Sequence, residues 1–279
     1  SASLTGLTVA DAPAGAISFR NATFSKAENG NFAELVLVRS GGTTGAVSAT
    51  INFTDGTAKG GQDFTATPIV VNFGDGISVV TVTVPILDDN IFEGNETFTA
   101  SLSSPTNAAV IGVLSSAVVT IIEDETPPVI TIADSKVTEG NNGTTAMTFT
   151  LSLSSLSAID TTVQVNTADG TAIAGKDYTA LVGKVATFTA GNLTTTVTVD
   201  ITGDTIFESD ENFTVTISNP TNGTLGAATK ATGTIINDDA PPSLSINSVS
   251  IAEGNTGTTA LTFTVTLSQV SEVETKVTV

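Results

Sequence analysis

Apolar and polar residues alternate with period two along most of the chain. Val80, Val82, Val84 and Ile86 alternate with Thr81 and Thr83, and Val197, Val199 and Ile201 alternate with Thr196, Thr198 and Asp200. Such alternation sets one face of a strand in a core and the other in solvent. Phe98, Ala100 and Leu102 repeat the pattern, as do Phe213, Val215 and Ile217. No segment sustains the 3.6-residue period of an amphipathic helix. The pattern predicts strands near 17–25, 33–39, 47–53, 67–73, 77–87, 96–103 and 117–122, separated by turns rich in Gly, Asn and Asp.

The same strands come round again. Asp55-Gly56-Thr57-Ala58 recurs as Asp169-Gly170-Thr171-Ala172, and Gly61-Gln62-Asp63-Phe64 as Gly175-Lys176-Asp177-Tyr178, both 114 residues on. Ile121 to Glu125 and Pro127-Pro128 recur at the same spacing as Ile235 to Asp239 and Pro241-Pro242, and Thr138-Glu139-Gly140-Asn141 returns as Ala252-Glu253-Gly254-Asn255. A fixed period of this length marks a tandem array. The chain therefore reads as an N-terminal segment (1–16), two whole repeats (17–125 and 126–239) and the opening of a third (240–279). With about seven short strands per repeat, the expected fold is all-β, a series of immunoglobulin-like antiparallel β-sandwiches. The Pro pairs restrict the backbone at each junction, so the expected connection is short and stiff. Three strands cannot close a two-sheet core. The expectation is therefore that the parent polypeptide continues past Val279, with strand donation by another chain, or by residues 1–16 through Leu4, Leu7 and Val9, as the alternative.

Composition narrows the chemistry. The 279 residues hold 9 Lys and Arg against 28 Asp and Glu, a formal charge of -19, and such a surface repels nucleic acid and anionic lipid. The absence of His and Cys removes thiol nucleophiles, Ser/His/Asp triads, nitrogen- or sulfur-ligated zinc and disulfides. No run approaches the ~18 apolar residues of a spanning helix, so no membrane insertion is expected. A Thr/Ser/Gly/Asn-rich, Lys-poor, acidic composition suits an extracellular or cell-surface protein.

The acids cluster at strand ends. The first repeat carries Glu28, Asp63, Asp88, Asp89, Glu93, Glu96, Glu123, Asp124 and Glu125; the second carries Glu139, Asp177, Asp204, Glu208, Asp210, Glu211, Asp238 and Asp239. No Lys or Arg interrupts 88–96, 123–125 or 204–211. In an up-and-down sandwich these loops converge on one pole, where the carboxylates repel one another. A hard cation resolves that repulsion, and calcium accepts 6 to 8 oxygens without nitrogen or sulfur. The competing reading is a solvated acidic surface. Asp55 and Asp169, each before Gly, read as turn formers, and Tyr178, aligned with Phe64, as a packing residue.

Asp55-Gly56-Thr57-Ala58, Gly61-x-Asp63-Phe64, the run from Ile86 through Asp88, Asp89, Ile91, Glu93 and Glu96 to Phe98, and Ile121-x-x-Asp124 together resemble the Calx-β domain family. The resemblance covers both whole repeats and the start of the third. It implies calcium ions at the tip of each sandwich, held in repeat one by Glu28, Asp63, Asp88, Asp89, the Ile91 carbonyl, Glu93, Glu96, Glu123, Asp124 and Glu125. In repeat two it implies Glu139, Asp177, Asp204, the Ile206 carbonyl, Glu208, Glu211, Asp238 and Asp239. Gly203 stands where Asp88 does and Asn237 where Glu123 does, so fewer or weaker ions are expected there, and Asp210, in place of Asn95, is a candidate compensation.

The function expected is a non-enzymatic, calcium-binding structural or adhesive repeat module in which the ion stiffens the junctions between neighbouring repeats. The alternative is a self-assembling subunit of a surface filament or layer, joined through strand exchange involving the incomplete third repeat. The partners expected are calcium ions, neighbouring repeats of the same chain, and other copies of itself or a cell-surface ligand. A two-carboxylate glycosidase is the enzyme class the acids leave open, but sugar sites use aromatic platforms and the chain has no Trp and one Tyr. A regulatory calcium sensor is a third class.

Overall fold

The alternating segments form strands in pairs of facing sheets. A computed structural model describes residues 13–278. The chain divides between Thr126 and Pro127 into two units.

In the first unit the strands are β1 (Ala16–Phe19), β2 (Thr23–Ala27), β3 (Phe32–Ser40), β4 (Val47–Asp55), β5 (Ile69–Phe73), β6 (Val79–Pro85), β7 (Glu96–Ser103), β8 (Val110–Ile111) and β9 (Ser116–Ile122). One sheet has the order β6-β3-β1-β8 and the other β2-β9-β7-β4-β5. Between them lies an aliphatic and phenylalanine core that includes Ile17, Leu35, Leu37, Ile51, Val84 and Phe98. The all-β sandwich expected from the alternation is the fold observed.

Two details differ from the expected strands. The segment 17–25 is two strands: β1 pairs with β3 in one sheet, and β2 pairs with β9 in the other. The burial pattern shows why, because Ile17 and Phe19 point inward at odd positions while the next inward aromatic is Phe24 at an even one. A shift of one residue turns the strand's apolar face to the opposite side, which suits a strand that changes sheets. The sandwich is also not wholly antiparallel, since β1–β8 and β2–β9 are parallel pairs.

The second unit repeats the plan with β10 (Val129–Ile132), β11 (Ser135–Thr138), β12 (Thr144–Leu153), β13 (Thr161–Asp169), β14 (Lys184–Phe188), β15 (Thr194–Thr202), β16 (Glu211–Thr221), β17 (Thr224–Leu225) and β18 (Lys230–Ile236). Its sheets are β15-β12-β10-β17 and β11-β18-β16-β13-β14. The split first strand recurs, with Ile130 and Ile132 inward on β10 and Val137 packed inward on β11.

Residues 240–278, expected as the start of a third repeat, contribute β19 (Leu244–Ile246) and β20 (Val265–Leu267), which pair only with each other. Their apolar side chains stay in solvent: Ile246 is 58% and Phe263 51% exposed. The segment touches the second sandwich at Phe207, whose carbonyl accepts the Glu272 amide at 3.1 Å. Strand donation by residues 1–16 falls mostly outside the described residues. Among the described residues no helix is long and apolar enough to cross a membrane.

Candidate metal centre

Strand pairing carries the first carboxylates together. β2 runs parallel beside β9 with Ala27 opposite Ile122. Glu28, in a single 3-10 turn after β2, therefore leaves the sheet beside residues 123–125. Glu28, Asp124 and Glu125 each bring one oxygen within 4.8 Å of the others. Asn29 secures the arrangement, donating from its side-chain amide and, at 3.2 Å, from its backbone to Asp124.

A second group, Asp63, Glu93 and Glu96, gathers within the same span. Here the core does the positioning. Phe64 follows Asp63, and Phe98 lies two residues past Glu96 on β7; the two rings stack at 3.8 Å between centroids and 7° between planes. The stack sets Asp63 against the start of β7. Asp63 also accepts the Lys59 amide, fixing the tight turn that carries it.

Glu123 has a different task from its neighbours. Its carboxylate accepts the backbone amides of Glu93 and Gly94, and that of Glu125 at 2.9 Å, so it ties the 88–96 loop to the end of β9. Asp89 Oδ1 accepts the Ile91 amide at 2.7 Å, closing a turn of the same loop. Asp88 is exposed and lies outside both groups.

Crowding raises the affinity of these groups for protons. Burial, reinforced by Glu123, Glu125, Glu93 and Asp89, pushes Glu28 up to about 8. Burial, with the charges of Asp63, Asp89 and Glu123, pushes Glu93 up to about 7. Burial and a hydrogen bond with Asp63 do the same for Glu96, against a smaller opposing pull from Lys59. Glu125 rises to about 7, chiefly because it shares a hydrogen bond with Glu123. Burial works to raise Glu123 also, but the hydrogen bonds it accepts from Glu125 and the loop amides outweigh it and hold the group low.

The second unit builds the same pole. Thr138 on β11 lies opposite Ile236, as Ala27 lies opposite Ile122, which makes Glu139 the structural equivalent of Glu28. Glu139, Asp238 and Asp239 form one group and Asp177, Glu208 and Glu211 the other. Tyr178 stacks on Phe213 at 4.3 Å, repeating the aromatic clamp. Burial, followed by Glu208, Asp204, Asp239 and Asp238, pushes Glu139 up to about 7. Asp204 Oδ1 accepts the Ile206 amide at 2.7 Å, as Asp89 does for Ile91.

The departures in this unit have structural reasons. A Cβ on Gly203 would lie 2.1 Å from the Gly140 carbonyl oxygen, so the backbone approach excludes an Asp at that position. Asn237 keeps the loop-tying task of Glu123 by accepting the Glu208 amide at 3.1 Å. Asp210, a candidate compensating ligand, instead accepts the Asn237 amide at 3.2 Å, just as Asn95 accepts that of Glu123 at 3.0 Å. It replaces Asn95 as a brace. Asp55 and Asp169 are turn formers: they accept the amides of Gly60 at 3.0 Å and Ala174 at 2.9 Å.

The oxygen set suits a hard cation. Ligands on opposite sides of an ion with bonds of about 2.4 Å lie just under 5 Å apart, which matches the span within each group. Glu125 Oε2, Glu211 Oε2 and Asp239 Oδ2 are buried without any hydrogen-bond partner. Such atoms call for a proton or a cation.

Comparison with known families matches the Calx-beta domain twice, over residues 11–125 and 123–239. The chain belongs to the Calx-beta domain family. Its two Calx-beta domains are similar to part of the zebrafish (Danio rerio) adhesion G-protein coupled receptor V1, with 30% identity over 81% of this chain and 4% of the receptor. They are similar also to the Bos taurus sodium/calcium exchanger 1, at 27% identity over 75% of this chain and 23% of the exchanger. Extracellular matrix protein 3 of Lytechinus variegatus is 30% identical over 61% of this chain and 6% of its own length. The chain spans less than a quarter of each of these relatives. Among solved structures it is similar to CBD12 from CALX1.2, at 21% identity and a TM-score of 0.40, covering 79% of this chain and 99% of that one. The apo-form Calx CBD1 domain aligns at 28% identity and a TM-score of 0.38, covering 39% and 96%.

Proposed function

We propose that this chain is a calcium-binding, non-enzymatic structural or adhesive module of an extracellular or cell-surface protein, and that Ca2+ rigidifies the junctions between its Calx-beta repeats. The observation that carries the reading is the position of the carboxylates. In each domain one buried acid, Glu28 or Glu139, is joined by a pair of acids close behind the last strand, Asp124-Glu125 or Asp238-Asp239, which runs within a few residues into Pro127-Pro128 or Pro241-Pro242. A cation bound to those acids holds the exit of one domain and so limits the freedom of the linker after it. The calcium ligands are then Glu28, Asp124 and Glu125 together with Asp63, Glu93 and Glu96 in the first domain, and Glu139, Asp238 and Asp239 in the second. Calcium supplies the charge neutralisation, while the protein contributes the oxygens, their spacing and the loop-tying of Glu123 and Asn237. An adhesion receptor and an extracellular matrix protein among the relatives support a surface role.

The chain has no cysteine, so Thr81→Cys and Thr196→Cys, both at exposed strand positions, introduce a unique pair of spin labels, one per domain. The distribution of distances between them, measured by pulsed electron paramagnetic resonance, is expected to narrow from chelator to millimolar calcium. Calcium uptake that leaves the width unchanged overturns the stiffening role.

A further inference from the structure

The two inner carboxylate groups differ in one respect that the acids themselves do not reveal. In both domains the turn before the aromatic clamp is built identically: Gly61 and Gly175 have positive φ of 89° and 85°, and their amides donate to the Phe64 and Tyr178 carbonyls at 2.8 Å. The residue after each glycine therefore starts from an equivalent point on the backbone. In the first domain it is Gln62; in the second it is Lys176. The lysine ammonium lies 2.9 Å from Glu208 Oε1, 3.2 Å from Asp177 Oδ1 and 2.8 Å from Glu272 Oε2. An ammonium has three protons and no acceptor, and here it donates to Glu208 and Glu272 while pairing with the charge of Asp177. Asp177 and Glu208 are buried, whereas Glu272 comes from the segment beyond the second domain. Among the described residues the first domain shows no such cation: Lys59 donates instead to the Gly56 carbonyl at 2.6 Å.

We propose that Lys176 is a resident cation standing where the first domain takes a metal ion, and that through Glu272 it latches the second domain to the segment that follows without calcium. This rests on reading Asp63, Glu93 and Glu96 as a calcium site. The second domain then keeps Glu139, Asp238 and Asp239 as its metal-binding group, and its inner group carries the fixed positive charge of Lys176 at any calcium concentration. The two successive junctions would respond differently to calcium, the first gaining stiffness from the ion and the second retaining a lysine tie in its absence.

The test counts calcium ions bound per chain of 279 residues by equilibrium dialysis at pH 8, and follows unfolding in excess chelator by calorimetry. Lys176→Gln, which copies the first domain, is expected to bind one ion more than the unsubstituted chain and to lower the second unit's melting temperature in chelator, with calcium restoring it. Gln62→Lys is the reciprocal variant and is expected to bind one ion fewer. An unsubstituted chain that binds calcium, with Lys176→Gln or Gln62→Lys binding the same number of ions, overturns the role of Lys176 and leaves the calcium reading intact. A chain that takes up no calcium with or without the substitutions overturns both.

Discussion

A calcium ion held as proposed would compete with protons for the same oxygens, so its binding should expel protons in a pH-dependent number that the structure sets. The perturbation is saturating calcium added to the chelator-treated chain. Glu28 holds its proton up to about 8, and Glu93, Glu96, Glu125 and Glu139 hold theirs up to about 7. At pH 6 these five carboxyls are almost all protonated, and binding should release about four to five protons per chain; at pH 8 the number falls to about one. Glu211, also raised to about 7, stays out of the count because it belongs to the group that Lys176 occupies. Stability follows the same groups. Their folded values lie above the ordinary 4.5, so the metal-free fold gains from them fully below about pH 4.5 and loses that gain as pH rises through 7 to 8. Glu123 and Asp169, which are held low, act in the opposite sense only as pH falls below the ordinary carboxylate range. Between pH 5 and 8 the chelated chain should therefore melt lower as pH rises, and the increment added by calcium should grow. Titration calorimetry at pH 6 in two buffers of different ionisation enthalpy reads the proton number directly. Calcium binding with fewer than about one proton released at pH 6 refutes the crowded-carboxylate account.

Three substitutions separate positioning from binding. Phe98→Ala removes a fully buried ring stacked on Phe64 and edge-on to Phe53; it should destabilise the first unit by about 3–5 kcal/mol and weaken calcium uptake there, read by calorimetry with and without the ion. Arg39→Met acts from the other end of β3, about 23 Å of strand away from the residues that follow the Glu28 turn. Arg39 is buried and donates to the carbonyls of Ala14, Thr44 and Gly45 at 2.6–2.8 Å, so its loss should cost about 2–4 kcal/mol and leave the number of bound ions unchanged. Gly170→Ala places a Cβ 2.4 Å from the Asn212 carbonyl oxygen; a loss of about 1–3 kcal/mol from the second unit is expected in urea unfolding, and none would show that the turn relaxes freely.

Much of the fold was legible because one face of each strand is buried. The runs at 80–86 and 197–201 carry their inward residues in plain alternation, and the 114-residue period tells which segments are equivalent. The division of the first strand was also written in the residues, in the change of inward parity between Phe19 and Phe24, but reading 17–25 as a single run hides it. β8 and β17 are two residues each and leave no periodic signal. At the site, residue type identified the carboxylates but not their separate tasks. Glu123 and Asp89 look like any other acid until their bonds to loop amides are seen, and Asp210 takes the place of an asparagine brace rather than joining the ligands. Lys176 was visible only as a mismatch with Gln62 inside a repeated motif. Its meaning depends on Glu208 and Glu272, 32 and 96 residues further along the chain, and no local pattern links those positions.

The most direct test of the account is the calorimetric unfolding of the full chain at pH 8, in excess chelator and in millimolar calcium, with Glu28→Gln beside it. A ligand held by the folded state alone stabilises it by about 2.7 kcal/mol at a hundredfold excess over its dissociation constant. Calcium is expected to raise the melting of both Calx-beta domains, and Glu28→Gln to reduce the rise in the first while sparing the second. Melting that calcium leaves unchanged would contradict it and make the acidic poles solvated surface.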